Sequence, residues 1–167
     1  LWDEFMEYEK PYTFKTDDED AIITFRDAGH ILGSAMIEIV YKGKKVVFTG
    51  DLGNSPSPLM RDTVPLKDVD YLIIESVYGD RNHKDRDKRI EIFKEAVVST
   101  IKKGRTVLIP AFSIERTQEI LLAFNELVES KQIPEIPVYL DSPLGINITK
   151  IYKKHEHWFN ENVEKVL

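Results

Sequence analysis

The sequence predicts an α/β protein in two parts, and three patterns carry that prediction. Short apolar or alternating runs crowd the first half, at Ala21–Arg26, Ala35–Tyr41, Lys44–Thr49 and Asp70–Ile74, separated by polar or glycine-bearing turns. Beyond Gly79 the order becomes helix, strand, helix, strand, helix, the rhythm of a parallel, doubly wound sheet. No apolar run approaches the roughly 20 residues that span a bilayer, and 42% hydrophobic with 31% charged residues is the mix of a folded soluble chain.

Taken in order, Trp2, Phe5, Met6 and Glu9 fall on one side of a short helix ended by Pro11, expected to cap the core. The acidic run Asp17–Asp20 reads as a solvated turn before the strand Ala21–Arg26. The next two strands, 35–41 and 44–49, are turned at Lys42 and Gly43 as a hairpin. In N-S-P-S-P, from Asn54 to Pro58, the prolines remove backbone donors and keep the chain irregular. Tyr71 to Ile74 then reads as a buried strand ending at Glu75.

A charge-dense run, Asp80–Arg89, leads into a helix marked by Ile90, Phe93, Val97 and Ile101 and stopped at Gly104. Arg105–Ala111 reads as a strand. Ser113 is the expected N-cap of the following helix, with Glu115 in its first turn and Ile120, Phe124 and Leu127 on its core face. Ile136–Leu140 is a further strand, and D-S-P-L-G opens a last helix with Ile148, Ile151, His155 and Phe159 on one face.

Chemistry concentrates around the hairpin. His30 precedes its first strand in D-A-G-H, and Asp51 follows its second in T-G-D-L-G. Adjacent antiparallel strands bring those two loops to the same end of a sheet. An imidazole and a carboxylate there suit zinc or a similar divalent ion, and the flanking glycines allow the sharp turns needed to converge. On spacing alone, a surface histidine and a turn aspartate are the commoner occupants of such places. Glu75 stands where α/β folds tend to put working residues, with a helix or turn cap as the competing reading.

The chain has no cysteine, which excludes disulfides and thiolate ligands and fits a cytoplasmic location. Its net charge of -6 is unfavourable for a nucleic-acid binder, although a metal centre would supply positive charge where a phosphate sits.

Five segments in order carry a family resemblance. G-H-I-L-G-S-A (29–35) and F-T-G-D-L-G (48–53) resemble the lone-histidine and aspartate motifs of metallo-β-lactamase-fold β-CASP nucleases. P-L-M-R-D (58–62), E-S-V-Y-G-D-R (75–81) and G-R-T-V-L-I-P-A-F-S-I-E-R-T-Q-E (104–119) are similar to further segments of that family.

The resemblance implies the C-terminal part of a metallo-β-lactamase αβ/βα sandwich over residues 1–79. Joined to it, over 80–167, would be the start of a Rossmann-like parallel α/β β-CASP domain. It implies zinc-dependent hydrolysis of phosphodiester bonds, in single-stranded RNA, by two zinc ions: His30 as ligand to one and Asp51 bridging both. Glu75 would orient a histidine that protonates the leaving oxygen. Arg116, at the head of a helix, is expected to hold the nucleic-acid backbone, against a competing ion pair with Glu115 or Glu119.

The family's H-x-H-x-D-H motif is expected upstream of Leu1 and its later histidines downstream of Leu167. His83, His155 and His157 match neither. The chain is therefore expected to be an internal fragment, inactive alone though part of an active parent. A DNA-processing nuclease and a non-catalytic nucleic-acid-binding scaffold are the alternatives.

Overall fold

In the computed structural model, which describes residues 5–82, 85–161 and 163, the strands of the first half form one five-stranded sheet. They are β1 (Pro11–Phe14), β2 (Ala21–Asp27), β3 (Ala35–Tyr41), β4 (Lys44–Phe48) and β5 (Tyr71–Ile73), in that spatial order. Strands β1 to β4 pair antiparallel with one another in succession, and β5 runs parallel to β4. The hairpin of β3 and β4 forms as expected, with Lys42 and Gly43 both at positive φ in the turn.

Alternation sends Met36 and Glu38 of β3 inward beside Val47 of β4. Ala28, Met36 and Val47 make the core, covered by Leu52, Val64, Leu66 and Val69 from the chain that returns to β5. The carboxylate buried on this face is fully engaged: Glu38 accepts from Arg26 Nε at 2.9 Å and Nη2 at 3.2 Å, with Lys45 Nζ at 3.6 Å. Arg26 reaches Glu9 as well. These contacts hold the Glu38 carboxyl below the usual carboxylate range, the Arg26 hydrogen bond contributing most.

The N-terminal helix is not found. Residues 1–4 lie outside the described residues, and 5–10 are not helical. Phe5 is 93% exposed rather than core-facing. Instead Tyr8 makes a parallel bridge to Phe25, and Glu9 N donates to Phe25 O at 2.8 Å. A sheet edge satisfies the backbone of so short a segment better than one or two unsupported helical turns. The strand expected to be buried also differs: Tyr71, Leu72 and Ile73 are all exposed, because β5 is the edge of the sheet.

The chain divides into two compact units, Leu1–Val77 and Tyr78–Leu167. The second contains α1 (Arg89–Ile101), α2 (Arg116–Glu129) and α3 (Pro143–Lys154). Val97 of α1, Phe124 and Leu127 of α2, and Ile133 form its core, with Phe93 edge-on to Phe124 at 4.9 Å. In α3, Ser142 Oγ accepts from Gly145 N at 3.0 Å and Pro143 stands in the first turn, as D-S-P-L-G predicts.

Three expectations for this unit are corrected. Segments 105–111 and 136–140 form no strand ladder among the described residues. Ile109 and Ile136 pack on the core, but Leu108 and Tyr139 are exposed, and Pro110, Pro134 and Pro137 lack the donors a ladder needs. Helix α2 starts at Arg116, and Ser113 does not cap it; its Oγ lies 3.4 Å from Ser142 Oγ. The inner face of α3 is Gly145 and Tyr152, while Ile151 and His155 are exposed.

Candidate metal centre

Strand pairing alone brings the ends of β2, β3 and β4 together, and hydrogen bonds then fix the loops that leave them. Asp27, the last residue of β2, accepts from Gly29 N through Oδ1 at 2.8 Å, turning the chain toward His30. Ser34 closes the same loop: its Oγ accepts from His30 N and Ile31 N, each at 3.2 Å, and its carbonyl accepts from Ala28 N and from the Tyr8 hydroxyl. Burial raises the Asp27 carboxyl above its usual range and pushes the Tyr8 hydroxyl up to about 12.

The loop after β4 then locks onto this one. Gly53 N donates to Ala28 O at 2.8 Å, and the Thr63 hydroxyl donates to the same carbonyl at 2.9 Å. The approach is so close that a Cβ at Gly53 would lie 1.8 Å from Gly29 O. One at Gly29, where φ is +62°, would lie 2.6 Å from Thr63 N. Glycine at these two positions lets three loop backbones touch.

That interlocking sets His30 Nε2 4.0 Å from Asp51 Oδ2, with both side chains accessible at one end of the sheet. Glu75 joins the group from β5, its Oε1 accepting from Leu52 N at 2.6 Å, while its own N–H donates to Thr49 Oγ1 at 3.3 Å. Its carboxylate thus holds the backbone next to Asp51. Sequence reasoning missed Asp27, Ser34 and Thr63, which fix the loops through backbone groups, Ser34 through the His30 N–H itself. Asp27 stood in the quoted D-A-G-H, and a carboxylate two residues before a glycine is a local turn signal.

Two ligand atoms bonded tetrahedrally to one ion at about 2.0–2.2 Å stand roughly 3.3–3.6 Å apart, so an approach of about half an ångström by these exposed side chains would let His30 and Asp51 share one. Among the described residues, no group of three or more His, Cys, Asp or Glu could hold a metal, which makes this pair a partial site. His83 lies outside the described residues. His155 and His157 stand together in the second unit, ring centroids 5.9 Å apart and exposed. Arg116 is also in the second unit; its Nη1 donates to Glu119 Oε2 at 2.7 Å and its side chain is 62% exposed.

The fold and the site together define an α/β chain: a five-stranded sheet whose loops bring a histidine and an aspartate to one end, and a second unit with three α-helices. Comparison with known proteins makes the class specific. The Beta-Casp domain matches residues 117–166, which begin within α2. An RNase J-like protein of Methanocaldococcus jannaschii is 39% identical over 153 residues, covering 89% of this chain and 36% of that protein. A ribonuclease of Thermus thermophilus is 34% identical over 142 residues, covering 85% and 32%. Subunit 3 of the cleavage and polyadenylation specificity factor of Dictyostelium discoideum is 33% identical over 154 residues, covering 91% and 20%. The chain belongs to the β-CASP family of metallo-β-lactamase nucleases. It spans between a fifth and about a third of the length of these relatives.

Proposed function

We propose that this chain supplies part of the active centre of a metal-dependent hydrolase that cleaves phosphodiester bonds in RNA. One observation carries the reading: His30 Nε2 and Asp51 Oδ2 stand 4.0 Å apart between loops locked by Gly29 and Gly53. RNA as the substrate class draws support from relatives named as ribonucleases. The chemistry that two zinc ions supply in such a centre is a water made acidic enough to attack near neutral pH, and positive charge for the phosphate.

His30 would hold one ion, and Asp51 would reach both. Glu75 anchors the backbone beside Asp51 and is assigned the further task of orienting the proton donor to the leaving oxygen. Arg116, exposed at the first position of α2, is assigned to the RNA backbone; its guanidinium has five donors, of which the bond to Glu119 uses one, on Nη1.

The first unit is read as part of a metallo-β-lactamase sandwich and the second as the start of a β-CASP domain, divided near residue 79. The outward face of the sheet supports the first assignment. Ile37, Phe48, Tyr71 and Ile73 are apolar and exposed there, as in a sheet made to be covered on both sides.

The test compares single-stranded RNA and DNA of one length with the protein carrying this chain, its full ligand set and zinc, before and after Asp51→Asn. Cleavage of RNA alone, lost in the variant while RNA binding persists, is the expected result. Equal cleavage of DNA would favour a DNA-processing nuclease, and binding without cleavage of either would favour a scaffold.

A further inference from the structure

The P-L-M-R-D segment (58–62) and the residues after it run alongside the loop that carries His30. Val64 N donates to Asp27 O at 3.1 Å, and the Thr63 hydroxyl donates to Ala28 O at 2.9 Å. A Cβ at Gly29 would lie 2.8 Å from Arg61 O. These contacts set the Arg61 backbone against Gly29, next in the chain to His30.

Arg61 is pinned from both sides. Leu59 and Met60 are buried, and Asp62 Oδ1 accepts from Ser57 N at 3.2 Å. Arg61 itself is exposed. A cationic side chain presented from a fixed backbone has less freedom to lose when it takes a ligand.

The charge at this end of the sheet is one-sided. Segments 28–34, 49–64 and 74–79, which carry His30, Asp51 and Glu75, also hold Asp62; they contain no lysine, and Arg61 is their one arginine. Its charge acts within the site as well. Burial raises the Asp27 carboxyl at the end of β2, and the Gly29 N–H and then the Arg61 charge act against that rise.

A strand of RNA carries a phosphate on every nucleotide. Metal ions held at His30 and Asp51 would neutralise the phosphate under attack, but the next one along would face Asp51, Asp62 and Glu75. A guanidinium answers that repulsion with paired donors that match two phosphate oxygens.

We propose that Arg61 holds the phosphate adjacent to the scissile one and so keeps the strand in register with the metal pair. The assignment rests on RNA cleavage as the proposed function and adds to it a substrate-binding residue. The contact is one of binding, so its loss acts on KM more than on kcat.

The test measures binding of a single-stranded RNA across a range of salt by the protein carrying this chain, in an Asp51→Asn background where the RNA stays intact. Arg61→Ala is expected to weaken binding about 10-fold and to flatten the slope of log affinity against log salt by about 0.7, the share of one phosphate. Arg61→Lys should restore the slope but only part of the affinity. Lys67→Ala removes the same charge toward the other end of β4, where Lys45 Nζ donates to Lys67 O at 3.1 Å, and should change neither. With Asp51 intact, Arg61→Ala should raise KM about 10-fold. Equal affinity and slope with and without Arg61→Ala would overturn the assignment, while RNA cleavage that still depends on Asp51 would leave the proposed function standing. A fall in kcat at constant KM would also overturn it, and would make Arg61 a support of the loop through Asp27. RNA held through Arg61 but never cleaved would sink the proposed cleavage alone.

Discussion

Replacing Gly53 by alanine tests whether contact between loop backbones sets the geometry of the candidate metal pair. The new Cβ would lie 1.8 Å from Gly29 O, whereas ordinary contact begins at 3.4 Å, so the loops must part by more than about 1 Å. That parting breaks the 2.8 Å bond from Gly53 N to Ala28 O and disturbs the Thr63 bond to the same carbonyl. Each is worth about 1 kcal/mol net, and the overpacking adds about 1–3 kcal/mol, for a total of about 3–5 kcal/mol. Gly50 is the control, with φ at +56° and open space around its Cβ. Gly50→Ala carries only the backbone strain, about 1–2 kcal/mol. Hydrogen exchange of the β3 and β4 amides reports the first unit alone. Protection in Gly53→Ala equal to that in Gly50→Ala would refute the interlocked-loop account.

Two further outcomes follow from the same unit. Glu38→Ala leaves Arg26 and Lys45 without their buried carboxylate and should cost about 2–4 kcal/mol in urea unfolding. Because the folded state lowers the Glu38 pKa, its contribution is present above the usual carboxylate range and is lost as pH falls through the folded value; the variant should show a flatter acid limb. Glu75→Gln keeps an acceptor for Leu52 N–H, so metal content should hold while the rate of an active parent falls about 10–100-fold. Metal lost together with rate would make Glu75 a ligand.

The hairpin and its consequence were legible from residues alone. Period-two alternation around Lys42 and Gly43 sets the β3–β4 pair, and that pair brings His30 and Asp51 to one end. Likewise, Ser142 and Pro143 announced α3, and Gly104 the end of α1, because these signals act within one turn of chain. What failed depended on distant partners. Tyr8 and Glu9 pair with Phe25, which no local pattern around Phe5 and Met6 reveals. Ser113 looked like a cap, but its hydroxyl lies against Ser142, and the chain bends at Glu115 instead. Tyr152 rather than Ile151 faces inward, since the Glu115 bond and the packing on Phe159 select the buried side of α3.

The most direct measurement of the central claim is a zinc titration of the 167-residue chain beside His30→Ala and Asp51→Asn. Two ligands make a weak site, so the account predicts binding by the unaltered chain that a chelator strips readily and that falls at least about 10-fold in each variant. Zinc affinity unchanged by both substitutions would contradict the assignment of His30 and Asp51 as the metal pair.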